Sequence, residues 1–240
     1  GAKPKDRVLI SGIQFPWAEC IAFAVWTIGG TLVISNQDDY QTAKSLSKPK
    51  LTVQADINVE KEINAFDEQF EPEFHANLQD EALIYWTKGK GIRLSHYNLL
   101  VNANGVQKKL DLFEQDTYLI QLKSDSTAWV VLQAILPLYT GAGIASKKSK
   151  ITIGLPNQFN SADYIIDFDW TKLKNTTPPR LFITPENTAI VSIRSSPVHM
   201  TKFELKNQDL WLSGHSVMMG YLDKKESENI FTDGSLILQK

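Results

Sequence analysis

The residues best suited to chemistry are Thr87-Lys88-Gly89-Lys90-Gly91, set between the apolar run Ala82–Trp86 and the apolar pair Ile92 and Leu94. Glycines let backbone N–H groups approach a ligand and lysines add positive charge, so a strand that delivers such a loop is suited to phosphate. His96 follows, ahead of an amphipathic stretch. A lone imidazole there serves either a ligand pocket or a structural hydrogen bond. Asp163, Asp167 and Asp169 alternate within an apolar segment and would share one face of a strand. With no fourth ligand nearby, they read as an exposed face rather than a cation site. His75 sits in an acidic stretch (58–80) without a second histidine at helical ligand spacing, and no metal role is assigned to it.

The elements that must position these groups follow from apolar spacing. Arg7–Ser11 is β-favouring and ends at Gly12, and Phe15-Pro16-Trp17 opens a helix with proline at its first turn. Trp17, Cys20, Ile21, Ala24, Val25 and Ile28 form one apolar stripe. Gly29-Gly30 stops the helix before a second strand, Thr31–Ile34. Strand, helix, glycines, strand is a βαβ unit and predicts a parallel sheet covered by helices. Tyr40–Ser47 and Leu51–Ala55 suit a second step. A helix after His96 is expected, capped by Ser95 or Asn98, with Leu99, Ala103, Val106 and Leu110 inward and Lys108 and Lys109 at its C-terminal end.

Thr117–Leu122 predicts a strand, and the apolar run Ala128–Tyr139 predicts a buried core helix ended by Gly141 and Gly143. Ser146–Lys150 is a small basic run ahead of the strand Ile151–Ile153. From Leu181 onward short strands alternate with Pro, Asn and Ser turns. The organisation expected is an α/β region over 1–180, divisible near 58–80, followed by a β-rich subdomain over 181–240.

Composition bounds the classes. At 240 residues, with 42% hydrophobic and 10% aromatic residues, the chain is long enough to bury a sizeable core. A net charge of −2 gives no reason to expect nucleic acid or an anionic membrane surface. No apolar run reaches the ~18 residues of a spanning helix. The single cysteine, Cys20, excludes an intramolecular disulfide framework and a cysteine-cluster metal centre. A cytoplasmic protein is the expectation.

Three blocks, 4–35, 82–112 and 209–236, resemble the adenylate-forming (AMP-binding) acyl ligases, the acyl-CoA synthetase family, in the family's own order. The first is similar to G-x-K-x-G-D-R-V, a helix and G-G-x-x-V. In the second, Ile84–Thr87 and Gly91–Asn98 match the flanks of the family's phosphate loop, T-S-G-T-T-G-x-P-K-G followed by V-x-x-S-H. Between them only Lys88-Gly89-Lys90 stands, so the loop is several residues short. In the third, Asp209–Leu222 resembles G-E-L-W-x-x-G-x-x-V-M-x-G-Y, Asp223 and Glu226 make a capping box, and Phe231–Gly234 matches F-x-D-G. Leu136–Tyr139 resembles the family's L-P-L-x-H. Gly141-Ala142-Gly143 is either a helix C-cap or a remnant of an adenine-binding turn.

The resemblance implies the fold class: α/β, with layered parallel or mixed sheets and helices, a β-rich final quarter, and a trimmed version of the family's N-terminal region. It also implies ATP or AMP with magnesium and coenzyme A as cofactors, and a small carboxylate or acyl substrate. Thr87, Lys88, Gly89, Lys90 and Gly91 would be the phosphate-loop remnant, and His96 and Tyr139 would lie near the acyl group. Three family elements do not match. The central loop residues are missing, no Y-G-x-T-E segment is found, and the ribose-binding aspartate falls on Lys240. A degenerate binding module of pseudoenzyme type is therefore expected ahead of an active ligase. The alternative is a split ligase whose adenylation lysine is supplied by a protein partner carrying that domain.

Overall fold

The structure is a computed structural model that describes residues 1–55, 57–65, 69–147, 149–172, 177–228 and 230–239. The chain divides into two compact units. The first holds residues 1–96, 123–125 and 219–226, and the second holds 97–122, 126–218 and 227–240.

In the first unit the βαβ expectation is met. Strand β1 (Arg7–Ser11) leads through helix α1 (Trp17–Thr27) to β2 (Thr31–Ile34), which lies parallel to β1. Helix α2 (Tyr40–Ser47) then returns the chain to β3 (Leu51–Gln54), parallel to β1 on its other side. A short helix α3 (Val59–Ile63) begins at Asn58, whose side chain accepts from the Lys61 N–H as an N-cap should. The rest of the 58–80 stretch includes residues 66–68, which lie outside the described residues.

The face that α1 buries differs from the expected stripe. Ala18, Ala22 and Val25 are its buried residues, while Cys20 and Ala24 are exposed. The helix is apolar almost all round, so spacing alone allows more than one face. The small side chains of Ala18 and Ala22 let its backbone approach the sheet.

Strand β4 (Glu81–Thr87) adds parallel to β2, and β5 (Lys90–Ser95) folds back antiparallel to β4. The short strand Gly220–Tyr221 pairs antiparallel with β5, opposite Arg93 and Ile92. Among the described residues this completes a six-stranded mixed sheet, ordered Gly220–Tyr221, β5, β4, β2, β1, β3. Leu9, Val33, Ile84 and Trp86 of the sheet pack with Tyr40 and Ala43 of α2. One carboxylate ties three strands together: Glu81 accepts from Arg7 of β1 at 3.0 Å and from Arg93 of β5 at 2.5 Å.

In the second unit, helix α4 (His96–Leu110) buries Leu99, Ala103, Val106 and Leu110 as the periodicity predicts, with Lys108 and Lys109 in its last turn. Asn98 lies within its first turn rather than at the cap position. Its side-chain amide donates instead to the carbonyls of His215 and Val217 at 2.8 and 3.1 Å, clamping the loop after Gly214. One turn on, the fully buried Asn102 exchanges hydrogen bonds with both the N–H and the C=O of Ile190. A side-chain amide has a peptide's donor and acceptor and substitutes for a strand neighbour.

The apolar run expected to form a core helix is central, but its geometry is unusual. Val130–Ile135 is a π-helix, buried throughout, and runs into helix α5 (Leu136–Thr140). The Leu136 N–H reaches back five residues to Val131. The next such bond, to the carbonyl of Leu132, would need an N–H that Pro137 lacks. The Tyr118 hydroxyl supplies the missing donor at 2.6 Å. Gln133, the polar interruption in the run, accepts from the Leu122 N–H at 2.8 Å. Gly141 is the left-handed C-cap of α5.

Around this helix, and again among the described residues, the second unit holds a seven-stranded and a four-stranded sheet. The larger is ordered Ser196–Pro197, Ile190–Ile193, Arg180–Ile183, Tyr164–Asp167, Ile151–Gly154, Thr117–Leu119, Gly143–Ile144. The smaller is ordered Thr201–Lys206, Asp209–Gly214, Ser235–Leu238, Phe231–Thr232 and is wholly antiparallel, which gives the β-rich end.

Candidate functional site

The Gly/Lys loop is a β-hairpin turn. Thr87 pairs with Lys90 across the β4–β5 ladder, leaving Lys88 and Gly89 as the turn residues. Both have positive φ, 51° and 76°. That is what a type I′ turn requires, and its twist matches the flanking strands. The position of Gly91 has a different cause. It stands opposite Trp86 in the register, and a Cβ there would lie 3.0 Å from the indole ring.

Two polar groups of the turn, the Gly89 N–H and the Lys90 ammonium, are paired within the first unit. The Gly89 N–H donates to Asp39 Oδ1 at 3.0 Å. Lys90 Nζ lies 2.6 Å from Glu226 Oε2 and 5.0 Å from the centroid of the Tyr221 ring. The Lys88 side chain is exposed and makes no ion pair among the described residues. One carboxylate thus engages the turn's backbone and another its Lys90 ammonium.

Both carboxylates come from positions that look like helix caps. Asp39 is the N-cap residue of α2, yet its side chain makes no cap bond there, and Gly89 receives it instead. Asp223 begins the expected capping box, and its Oδ1 accepts from the Lys225 N–H at 3.0 Å. Glu226, the other half of the box, turns to Lys90. Local spacing has no signal for this diversion. Tyr221 and Glu226 reach the turn only because Gly220–Tyr221 pairs with β5, and this pairing brings two of the three recognised blocks together.

The remaining sequence-derived residues lie elsewhere. His96 opens α4 and accompanies the turn in the first unit, whereas Tyr139 belongs to the second. The His96 imidazole is held below its ordinary value of 6.5 by burial, with the charge of Asp80 opposing. Its Nε2 is buried without a hydrogen-bond partner among the described residues. Tyr139 is exposed on α5, and its hydroxyl accepts from Asn104 at 2.8 Å.

Of the basic run, Lys148 lies outside the described residues. Lys150 pairs with Asp116 at 3.0 Å, which together with the Phe113 N–H holds that carboxyl below the usual range. The run lies in the second unit and Lys88 and Lys90 in the first. The three alternating aspartates have separate structural partners. Asp163 accepts from the Thr152 N–H, Asp167 pairs with Arg180, and Asp169 accepts from Thr171. Among the described residues no group of three or more His, Cys, Asp and Glu side chains is placed to hold a metal ion. Nor is any helix long and apolar enough to cross a membrane. Lys240, where the family's aspartate would fall, lies outside the described residues.

Over its whole length the chain has the fold of the N-terminal region of adenylate-forming acyl-CoA synthetases. The N-terminal subdomain of NpsA from Klebsiella oxytoca superposes with a TM-score of 0.76 at 16% identity, covering 100% of this chain and 84% of that one. The o-succinylbenzoate CoA synthetase MenE from Bacillus subtilis, in complex with its acyl-adenylate intermediate, gives 0.79 at 14% identity, covering 98% and 82%. Apo MatB from Rhodopseudomonas palustris gives 0.79 at 13% identity, covering 99% of this chain and 66% of that one. No protein-family profile and no curated protein matches the sequence.

Proposed function

We propose that this chain is a degenerate member of the adenylate-forming fold that binds a small carboxylate or acyl ligand, or a protein partner, without adenylating it. The observation that carries this reading is the turn between β4 and β5. Phosphoryl chemistry on ATP relies on fixed N–H donors and cations around the β- and γ-phosphates. Here the Gly89 N–H and the Lys90 ammonium are already bonded to Asp39 and Glu226. The residues present do not fit a polyphosphate. Each lost donor of this kind costs a transition state about 3 kcal/mol.

The test is carboxylate-dependent exchange of labelled pyrophosphate into ATP, with calorimetry of ATP and magnesium in parallel. The expected result is no exchange and no saturable ATP binding, with a carboxylate or acyl compound stabilising the fold against heat. Exchange by the chain alone overturns the proposal. Exchange that appears only when a lysine-bearing partner domain is added would favour the split ligase.

A further inference from the structure

We propose that Asp39 and Glu226 act as built-in anions, occupying the Thr87–Gly91 turn where a ligand's phosphate would otherwise sit, and so keep it closed to inorganic phosphates. This rests on the preceding reading and adds a cause to it: the turn is blocked by occupation as well as shortened.

Several features support occupation. The two carboxylates reach the turn from different parts of the chain, one at the start of α2 and one beyond the strand that pairs with β5. Each abandons a helix-capping role to do so, and each engages a different kind of donor, one a backbone N–H and the other an ammonium. Those are the two kinds of donor that bind phosphate in loops of this type. Tyr221 holds Lys90 from a second side, its ring face attracting the ammonium. An approaching polyanion meets a turn whose Gly89 N–H and Lys90 ammonium are already engaged by carboxylates. With both carboxylates neutralised, it would meet Lys88 and Lys90 with neither of these carboxylate charges opposing them, and a Gly89 N–H held at most by a neutral oxygen. The Lys90–Glu226 pair is nearly half exposed, at 43% and 46%, so a competing anion can reach it from solvent.

The experiment is calorimetric titration of the full chain with inorganic pyrophosphate, free of metal. The proteins compared are the wild type, Asp39→Asn, Glu226→Gln, the double variant, and the double variant with Lys90→Met. The double variant is expected to bind at least tenfold more tightly than the wild type. Each single variant should recover part of the gain, and adding Lys90→Met should abolish it. The single variants keep the test decisive should the double variant fail to fold. Equal affinities in the wild type and the neutralised variants overturn the inference, as does a gain that survives the loss of Lys90. Exchange of pyrophosphate into ATP by the wild type would instead remove the proposed function, and the ranking of variant affinities would still decide this inference.

Discussion

Glu226 and Lys90 meet at 2.6 Å across 136 residues of chain, and their contact closes the turn that most resembles a phosphate site. An exposed ion pair is screened by water and costs side-chain freedom, so its worth to stability is about 0–1 kcal/mol. Glu226→Gln should therefore shift the urea midpoint only slightly. A loss well above that range would mean that the pair is structural rather than a plug on the turn.

Gly91 and Trp86 set the opposite expectation. A methyl group at position 91 lies 3.0 Å from the indole and 3.2 Å from Ile84, both fully enclosed in the sheet core. Overpacking of this kind costs about 1–3 kcal/mol. Gly91→Ala should lower the denaturant midpoint by that amount, and an unchanged midpoint would show that the Trp86 ring has room to move.

Tyr118→Phe removes one oxygen and leaves the Leu132 carbonyl buried without a donor. The loss expected is about 1–3 kcal/mol, larger than for an ordinary surface hydrogen bond. Burial pushes the Tyr118 hydroxyl pKa far up. The absorbance of this tyrosine should therefore not titrate at alkaline pH until the protein unfolds.

The pH dependence of stability carries the sign of His96. Burial lowers its folded pKa beneath the unfolded value of 6.5, so at acid pH the unfolded chain binds the extra proton. Stability is then complete above about pH 6.5 and falls as pH drops through the window between the two values. In thermal melts between about pH 7.5 and about pH 5, His96→Gln should lose less stability than the wild type. A parallel decline in both proteins would assign the acid sensitivity to other groups.

What the sequence alone determined about this protein is local. Glycines, apolar spacing and β-branched runs place β1, α1, β2, α2 and β3 within a residue or so, because each is decided by neighbours a few positions away. The motif blocks pointed to the right fold for the same reason. Two kinds of feature were beyond local spacing. One is the choice among several apolar faces of α1, and the π-geometry of Val130–Ile135, which depend on what packs against them. The other is the state of the Lys88-Gly89-Lys90 turn. Its residue types announce a cationic loop, but Asp39 and Glu226 also look like local caps, and a carboxylate goes to whichever donor the fold brings nearest. Only the parallel pairing of β2 with β4 and the pairing of Gly220–Tyr221 with β5 put those two carboxylates against the turn.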